Sequence, residues 1–468
     1  MRFDLSGGAY TGRSTSASSE EMVNLFQERA QDPKQGSTLV GIHGSTVFST
    51  PRDGEVRGMR TVGGLLYAVV GPSLYQINAA GTASWLADIG SASGRVSITD
   101  NGVVNGQQII IADGSKLKIW DLSTSALTTT TSEDADVVGF VDGYIVYPHK
   151  DSGQFYYSAI YDASDLPALN FSTAEGSPDN LVSLVVDRRE VWLLGEKTTE
   201  VWYNQGNVDN IFARFQGGFS QMGCAAPHSV TRFDNAVAWL GRNEMGDAVP
   251  VISRQYAPEY LTGKHPQVAY QIAQYKTVDD CFAYSYRFEG HEFLVFTFPT
   301  ENITWCYDAS EGEWHQRAHI INDVFPNRER YNCHAFAFGK HLVGDYENGQ
   351  IYEISSDVYT IDGTIIPNVR TTTGMKDKDE DRIHVRSVEL TGESGMGGNV
   401  ALTYSKDGGH TYSNERVKSF GDVGKYATRL IWRKFSSSRD WILRFTRKYD
   451  GKTVYTGLVA KEHGEQIS

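Results

Sequence analysis

The sequence predicts an all-β protein: a β-propeller of seven blades, with six as the alternative count, followed by a C-terminal β-sandwich. Three observations predict it. A unit of strand, Gly or Asp turn and aromatic-rich strand recurs at roughly 40–50 residues, the period of a propeller blade. The 468 residues include 47 glycines and only 7 methionines, and stretches of helical periodicity are few, which suits strands and turns. The rhythm lapses near residues 357–381, and the strands that follow have a different pattern, as expected of a second unit.

In chain order, residues 1–55 are polar, Gly/Ser-rich at first, and read as an N-terminal arm or extended segment that buries little by itself. Within it Glu20 to Arg29 predicts one helical turn, capped by Ser18 or Ser19 with Glu21 in its first turn. Residues 56–368 are assigned to the propeller. Leu65–Val70, the Gly71-Pro72 turn and Ser73–Ile77 make the first unit. Ile109–Ala112 with Leu117–Trp120, Tyr144–Tyr147 with Gln154–Ser158, and Val191–Gly195 with Thr199–Tyr203 make the next three. Ala236–Leu240 with Val249–Ile252 make the fifth, and His341–Asp345 with Gly349–Ile354 the seventh. The sixth is the clearest. Trp305 to Arg317, W-C-Y-D-A-S-E-G-E-W-H-Q-R, reads as a hairpin whose turn chemistry lies at Asp308 to Gly312, preceded by the strand Glu292–Phe298. The stretch Phe212–Met222 reads as a loop that blurs the count. Met375 to Asp381 is a charge run, read as a solvated linker. Residues 369–468 then predict a separate sandwich from strands at Val385–Leu390, Asn399–Tyr404, Thr428–Trp432 and Trp441–Thr446.

Net charge is -14, unevenly spread. Residues 370–468 hold 18 Lys and Arg against 13 Asp and Glu, and residues 1–369 hold 25 against 44. An acidic body argues against gripping nucleic acid, since phosphate binding needs cations. It suits a wall along which DNA slides without sticking. No apolar run approaches the roughly 20 residues of a bilayer span, and the N-terminus M-R-F-D-L-S-G-G-A-Y carries no hydrophobic signal region, which predicts no Sec export and no membrane partner. Cys224, Cys281, Cys306 and Cys333 form no C-x-x-C pair, so they read as buried reduced thiols.

Candidate chemistry is sparse. Ser405-Lys406-Asp407-Gly408-Gly409-His410-Thr411-Tyr412 fits the Asp-box pattern with Tyr in place of the final Trp, and reads as a stabilised hairpin turn. His315 and His319 stand four apart on a strand or loop, without the H-E-x-x-H context of a zinc helix. Cys306 or Cys333 with His334 has no nucleophile signature. Carboxylates brought together only in space leave a glycosidase open. Between Arg416 and Lys452 lie 11 basic and 3 acidic residues interleaved with Tyr426, Trp432, Phe435, Trp441, Phe445 and Tyr449; this reads as the polar face of strands or a docking patch for an acidic partner, with nucleic acid the lesser alternative. The sequence therefore predicts no catalytic, metal or cofactor-binding residue and no enzyme activity.

A further set of residues carries a resemblance. Tyr10-Thr11-Gly12-Arg13-Ser14, Val23-Asn24-Leu25-Phe26, Val56-Arg57-Gly58-Met59, Ser93-Gly94-Arg95-Val96-Ser97, Tyr307-Asp308-Ala309-Ser310 with Glu313-Trp314, and Tyr404-Ser405-x-Asp407-Gly408 occur in an order that spans almost the whole chain. Together they resemble the packaged-DNA stabilisation, or tail accessory, proteins of short-tailed phages. The resemblance implies a virion protein assembled in the host cytoplasm, in which six copies ring the tail channel as a hub or nozzle. It implies attachment to the head–tail adaptor ring under the portal, a tail needle or plug that helps hold the genome, tailspikes or tail fibres around it, and genomic DNA passing without specific binding. The alternative is a propeller glycosidase or glycan-binding protein acting on host surface polysaccharide.

Overall fold

The computed structural model describes residues 2–3, 5, 7–9, 12–14, 18–29, 37–103, 107–174, 176–207, 210–263, 265–376 and 381–462. Tyr10 and Thr11 of the resemblance motif, and residues 377–380 of the charge run, lie outside them.

Among the described residues, seven four-stranded antiparallel units follow one another. Blades 1 to 4 are the sheets spanning residues 56–88, 97–129, 139–173 and 181–220. Blade 5 spans 223–260, its innermost strand split into Gly223–Cys224 and Thr231–Phe233 around a 3-10 turn at Pro227–Ser229. Blade 6 is Phe282–Phe288, His291–Phe298, Ile303–Asp308 and Glu313–Ile321. Every repeat unit expected from the sequence lies in a blade of its own. The stretch expected as a loop at Phe212–Met222 instead contains the outer strand of blade 4, Phe212–Ser220. Its two adjacent glycines and a register shift hid the alternation that marks a strand.

Within a blade, successive residues point to opposite faces, yet Thr304, Trp305 and Cys306 are all buried. A neighbouring blade covers each face, so a central blade strand reads as continuously apolar rather than alternating.

Blade 7 is completed from the other end of the chain. Tyr331–Ala337, Lys340–Asp345 and Ile351–Ser355 supply three strands, and Gly44–Ser49 pairs with Ile351–Ser355 as the fourth. The circle is thus closed by hydrogen bonds between residues some 300 positions apart. Gly44 sits where a Cβ would meet Thr360 O at 2.2 Å, so the site accepts no larger residue without movement.

The described residues of 1–55 are therefore built into the fold rather than left as an arm. Glu21–Val23 and Leu25–Arg29 are strands in place of the expected helical turn, with Met22 and Leu25 fully buried. Asn24, at φ +56°, breaks the helix by taking the left-handed conformation between them. Glu21–Val23 pairs with blade 6 in parallel on one side and with Asn368–Thr371 on the other. Blade 6 and one layer of the sandwich (Asn368–Thr371, Ile442–Arg447, Asn399–Ser405, Arg416–Ser419) consequently form a single ten-stranded sheet. The other layer contains Leu25–Arg29, Ser37–Gly41, Val454–Glu462, Ile383–Gly392 and Leu430–Arg433. The sandwich expected as separate is thus built partly from the N-terminus. One apolar cluster runs from Trp305 and Trp314 of blade 6 through Met22 and Leu25 to Trp432, Trp441 and Phe445, so no solvated gap divides the two units there.

Candidate functional site

The innermost strands of the blades surround an axial cavity of about 680 Å³. Its wall comes from blades 1 to 6 through Arg60, Ile98, Phe140, Leu184, Arg232 and Ala283, among others. A smaller space of about 240 Å³ adjoins it beside blade 7, sharing Arg95, Val96 and Ala283. Arg60, Arg95, Arg188, Arg189 and Arg232 line the larger cavity, while among the described residues Asp142 is the one carboxylate in its wall.

Those arginines differ in how they are held. Arg60 pairs with Asp100 at 3.1 Å and Arg189 with Asp142 at 2.7 Å. Arg188 donates to Asn235 O at 2.7 Å and lies 3.8 Å from Asp187. Arg95 is the most enclosed. It donates to Asn332 O, its guanidinium lies 4.0 Å from the centre of the Phe282 ring, and its Nε is buried without a partner. Burial pulls its pKa down, and the same burial with Arg95 nearby holds His228 neutral, its pKa down to about 3.

A glycosidase needs two carboxylates about 5–9.5 Å apart across the scissile bond. The axial cavity gathers arginines instead. A second groove, of about 480 Å³ between the propeller and the sandwich, does hold Glu28, Glu289, Asp357 and Glu393, but two of them are engaged: His43 Nε2 lies 3.0 Å from Glu289 and Lys452 Nζ 3.0 Å from Glu393.

The other sequence candidates resolve into structural roles. In the Asp box, Asp407 Oδ1 accepts from Thr411 N at 2.9 Å, and Gly409 N donates to Ser405 Oγ at 2.9 Å. Bonds from Ser405 and Thr411 push the Asp407 pKa down. His315 and His319 both lie on the strand Glu313–Ile321, and among the described residues no His, Cys, Asp or Glu cluster has metal-binding geometry. Burial drives the His315 pKa well down and that of His319 to about 4. Cys306 and Cys333 are buried and their thiols are pushed up to about 12, which removes the thiolate a nucleophile requires. His334 faces His341 at 3.0 Å rather than a thiol.

In the basic stretch Arg416–Lys452, Trp432, Phe435, Trp441 and Phe445 are core residues and unavailable to stack on bases. Arg447 is buried, donating to Gly397 O at 3.0 Å over the Phe420 ring, and Arg444 reaches Glu21 at 3.0 Å.

Two features were invisible in the sequence because their parts meet only in the fold, those of the first some 300 residues apart. Asn24 joins three segments: its N–H donates to Gln316 O, and its Nδ2 donates to Ala318 O and Pro367 O, each at 2.8 Å. Its Oδ1 accepts from Ala318 N at 2.8 Å, and its carbonyl accepts from Ile42 N and Asn368 Nδ2. Between blades 6 and 7, Arg317 lies 3.4 Å from Glu329 with both side chains 3 % exposed. Tyr286 Oη accepts from Arg317 at 2.6 Å, and Tyr284 Oη donates to Glu329 at 2.9 Å.

Comparison with known families accounts for the whole architecture. Residues 1–359 match the description "Bacteriophage P22 Gp10, beta-propeller", and residues 368–461 match "Bacteriophage P22 Gp10, beta-sandwich". The chain belongs to the Bacteriophage P22 Gp10 family. This is a phage tail and stabilisation family, and the chain is of the structural virion-protein class. The first match includes Gly44–Ser49 as well as blades 1 to 7, so the Gp10 propeller unit contains the closing strand. No curated protein matches. Among solved structures, the computationally designed Ika8 protein is 12% identical, with TM-score 0.38, over 66% of this chain and 99% of its own. PorZ of Porphyromonas gingivalis is 12% identical, with TM-score 0.37, over 74% of this chain and 45% of its own. The extracellular domain of BT4673 from B. thetaiotaomicron is 10% identical, with TM-score 0.43, over 86% and 56%.

Proposed function

We propose that this Gp10-family chain is the tail hub, or nozzle, of a short-tailed phage. Six copies form a ring that extends the DNA channel below the portal–adaptor and, with a tail needle or plug, holds the packaged genome until ejection. Tailspikes or tail fibres attach around it. The chain makes and breaks no bonds; it works by fitting beside copies of itself.

The observation that carries this reading is the ten-stranded sheet that fuses blade 6 to the sandwich through Glu21–Val23. A part that transmits load between neighbours must not hinge at its own domain boundary, and this one is stitched across it. The excess of acidic residues in 1–369 suits a duct that must not retain DNA. Among the described residues no helix is long and apolar enough to cross a membrane. The second reading, a glycosidase or glycan-binding propeller, is disfavoured by the arginine lining of the axial cavity.

The test is deletion of the gene from the parent phage. Particles should package DNA and then lose it, and added protein should restore retention while appearing as a six-fold ring on adaptor-bearing heads. Full genome retention without the protein, or only monomers on such heads, refutes the hub.

A further inference from the structure

We propose that the axial cavity of the propeller is a docking site for an acidic, extended peptide segment of a partner protein. The inference stands on the cavity itself and does not require the ring.

The first argument is charge. Residues 1–369 carry 44 acidic and 25 basic residues, so an average wall of this body is negative. The axial cavity reverses that sign: five arginines line it, against Asp142 on the wall and Asp100 and Asp187 beside Arg60 and Arg188. A long-range field set by an acidic body does not favour an anionic guest, so local cations must supply the attraction and select for carboxylates.

The second argument is layout. Arg60 comes from blade 1, Arg95 from the strand lead-in of blade 2, Arg188 and Arg189 from blade 4, and Arg232 from blade 5. They do not converge on one point as a phosphate site would. Between them the wall mixes apolar side chains, Ile98, Phe140, Leu184 and Val186, with the polar Ser97, Thr99 and Ser183. Charges spaced around such a mixed wall suit an extended chain that presents acidic side chains with small apolar ones between them. A volume of about 680 Å³ lies in the range of ligand pockets and is far too small to admit duplex DNA.

The third argument is unmet demand. Arg95 has a buried Nε without a partner, its guanidinium being held only by the Asn332 carbonyl and the Phe282 ring among the described residues. A guest carboxylate reaching it would complete its bonding. At the rim, Ile160 and Tyr161 are 57% and 50% exposed. Tyr161 holds φ +57°, with its carbonyl fixed by Asn101 Nδ2 at 2.9 Å and its N–H by Gly143 O at 2.6 Å. A half-exposed tyrosine pinned in that conformation, on the wall of a cavity that arginines also line, has the composition of an interface anchor.

The test uses the full-length chain and the fluorescein-labelled peptide Glu-Leu-Glu-Tyr-Glu-Leu-Glu, followed by fluorescence anisotropy at low salt. Saturable binding is expected, weakened about tenfold or more in R188Q/R189Q/R232Q. These side chains are exposed or at the cavity rim, so the variant should keep its thermal midpoint. In the wild-type chain the peptide should also protect Arg188, Arg189 and Arg232 from phenylglyoxal, read by mass spectrometry. K418Q/K434Q, on the sandwich, should bind like the parent. The proposal is overturned by absent saturable binding, by equal binding of the Gln-for-Glu peptide, or by equal loss in K418Q/K434Q. Displacement by millimolar inorganic phosphate would mean a small-anion site, and competition by a short DNA duplex would mean a nucleic-acid site; either also overturns it.

Discussion

Replacing Asn24 by alanine should loosen the propeller from the sandwich. The side chain makes three hydrogen bonds of 2.8 Å, to Ala318 O, Pro367 O and Ala318 N, and the residue is fully buried. Alanine leaves those three main-chain groups without their partner in a place water does not reach. Each orphaned group costs roughly 1–3 kcal/mol. Alanine at φ +56° adds about 1 kcal/mol, because its Cβ crowds the carbonyl where asparagine is tolerated. The expected cost is about 4–10 kcal/mol, within reach of the whole stability of a domain. Thermal unfolding should begin on the order of 10 °C lower. Limited proteolysis should cut between residues 359 and 368 before the blades, and hydrogen exchange should rise first at Ala318 and Asn368. Asn24→Gly separates the terms, since it removes the bonds and keeps the backbone geometry; it should lose slightly less than alanine. An alanine variant within about 1 kcal/mol of the parent, with protection at Ala318 unchanged, would refute the assignment of Asn24 as the clamp.

Further outcomes are expected. Glu329→Ala leaves Arg317 buried without its carboxylate and should cost about 3–5 kcal/mol in urea unfolding, whereas the double variant R317M/E329L should recover most of it. Gly44→Val meets Thr360 and should open blade 7, giving protein that is cleaved near residue 50 under conditions where the parent resists. Acid should weaken the fold. His319 and His334 are held neutral by burial, their pKa values down to about 4 and about 3 from 6.5. Between those values and 6.5 the unfolded chain binds more protons, so stability is full above pH 6.5 and falls as pH drops through that window. The slope is up to about 1.4 kcal/mol per pH unit for each group. His334→Gln should flatten a plot of thermal midpoint against pH, and an unchanged slope would count against the burial of that imidazole. His291, raised by its bond to Asp308, works in the opposite sense, adding stability below 6.5 that is lost as pH rises through its folded value.

Much of the fold was legible because blades are local objects. Leu65–Ile77 and Trp305–Arg317 announce strand, turn and strand within a dozen residues, and no distant partner is needed to recognise them. The Asp-box turn was legible for the same reason: Ser405, Asp407 and Thr411 bond one another. Phe212–Ser220 failed at the local level, where glycine interrupts the pattern. The segment Glu20 to Arg29 failed differently. Its spacing permits a helical turn, and only Gln316, Ala318 and Asn368, which bind Asn24, make two strands the better answer.

The amino-acid sequence by itself determined the all-β class, a blade-like repeat whose count it left at seven or six, the sandwich-like character of the C-terminal strands and the split in charge, because each follows from patterns a few residues wide. Tertiary structure alone decided that Gly44–Ser49 closes the circle and that Glu21–Val23 welds propeller to sandwich. It also decided that arginines from four blades meet along one axis. The first two outcomes depend on edge strands whose unpaired N–H and C=O groups are satisfied by residues some 300 positions away, and no window on the sequence spans that distance.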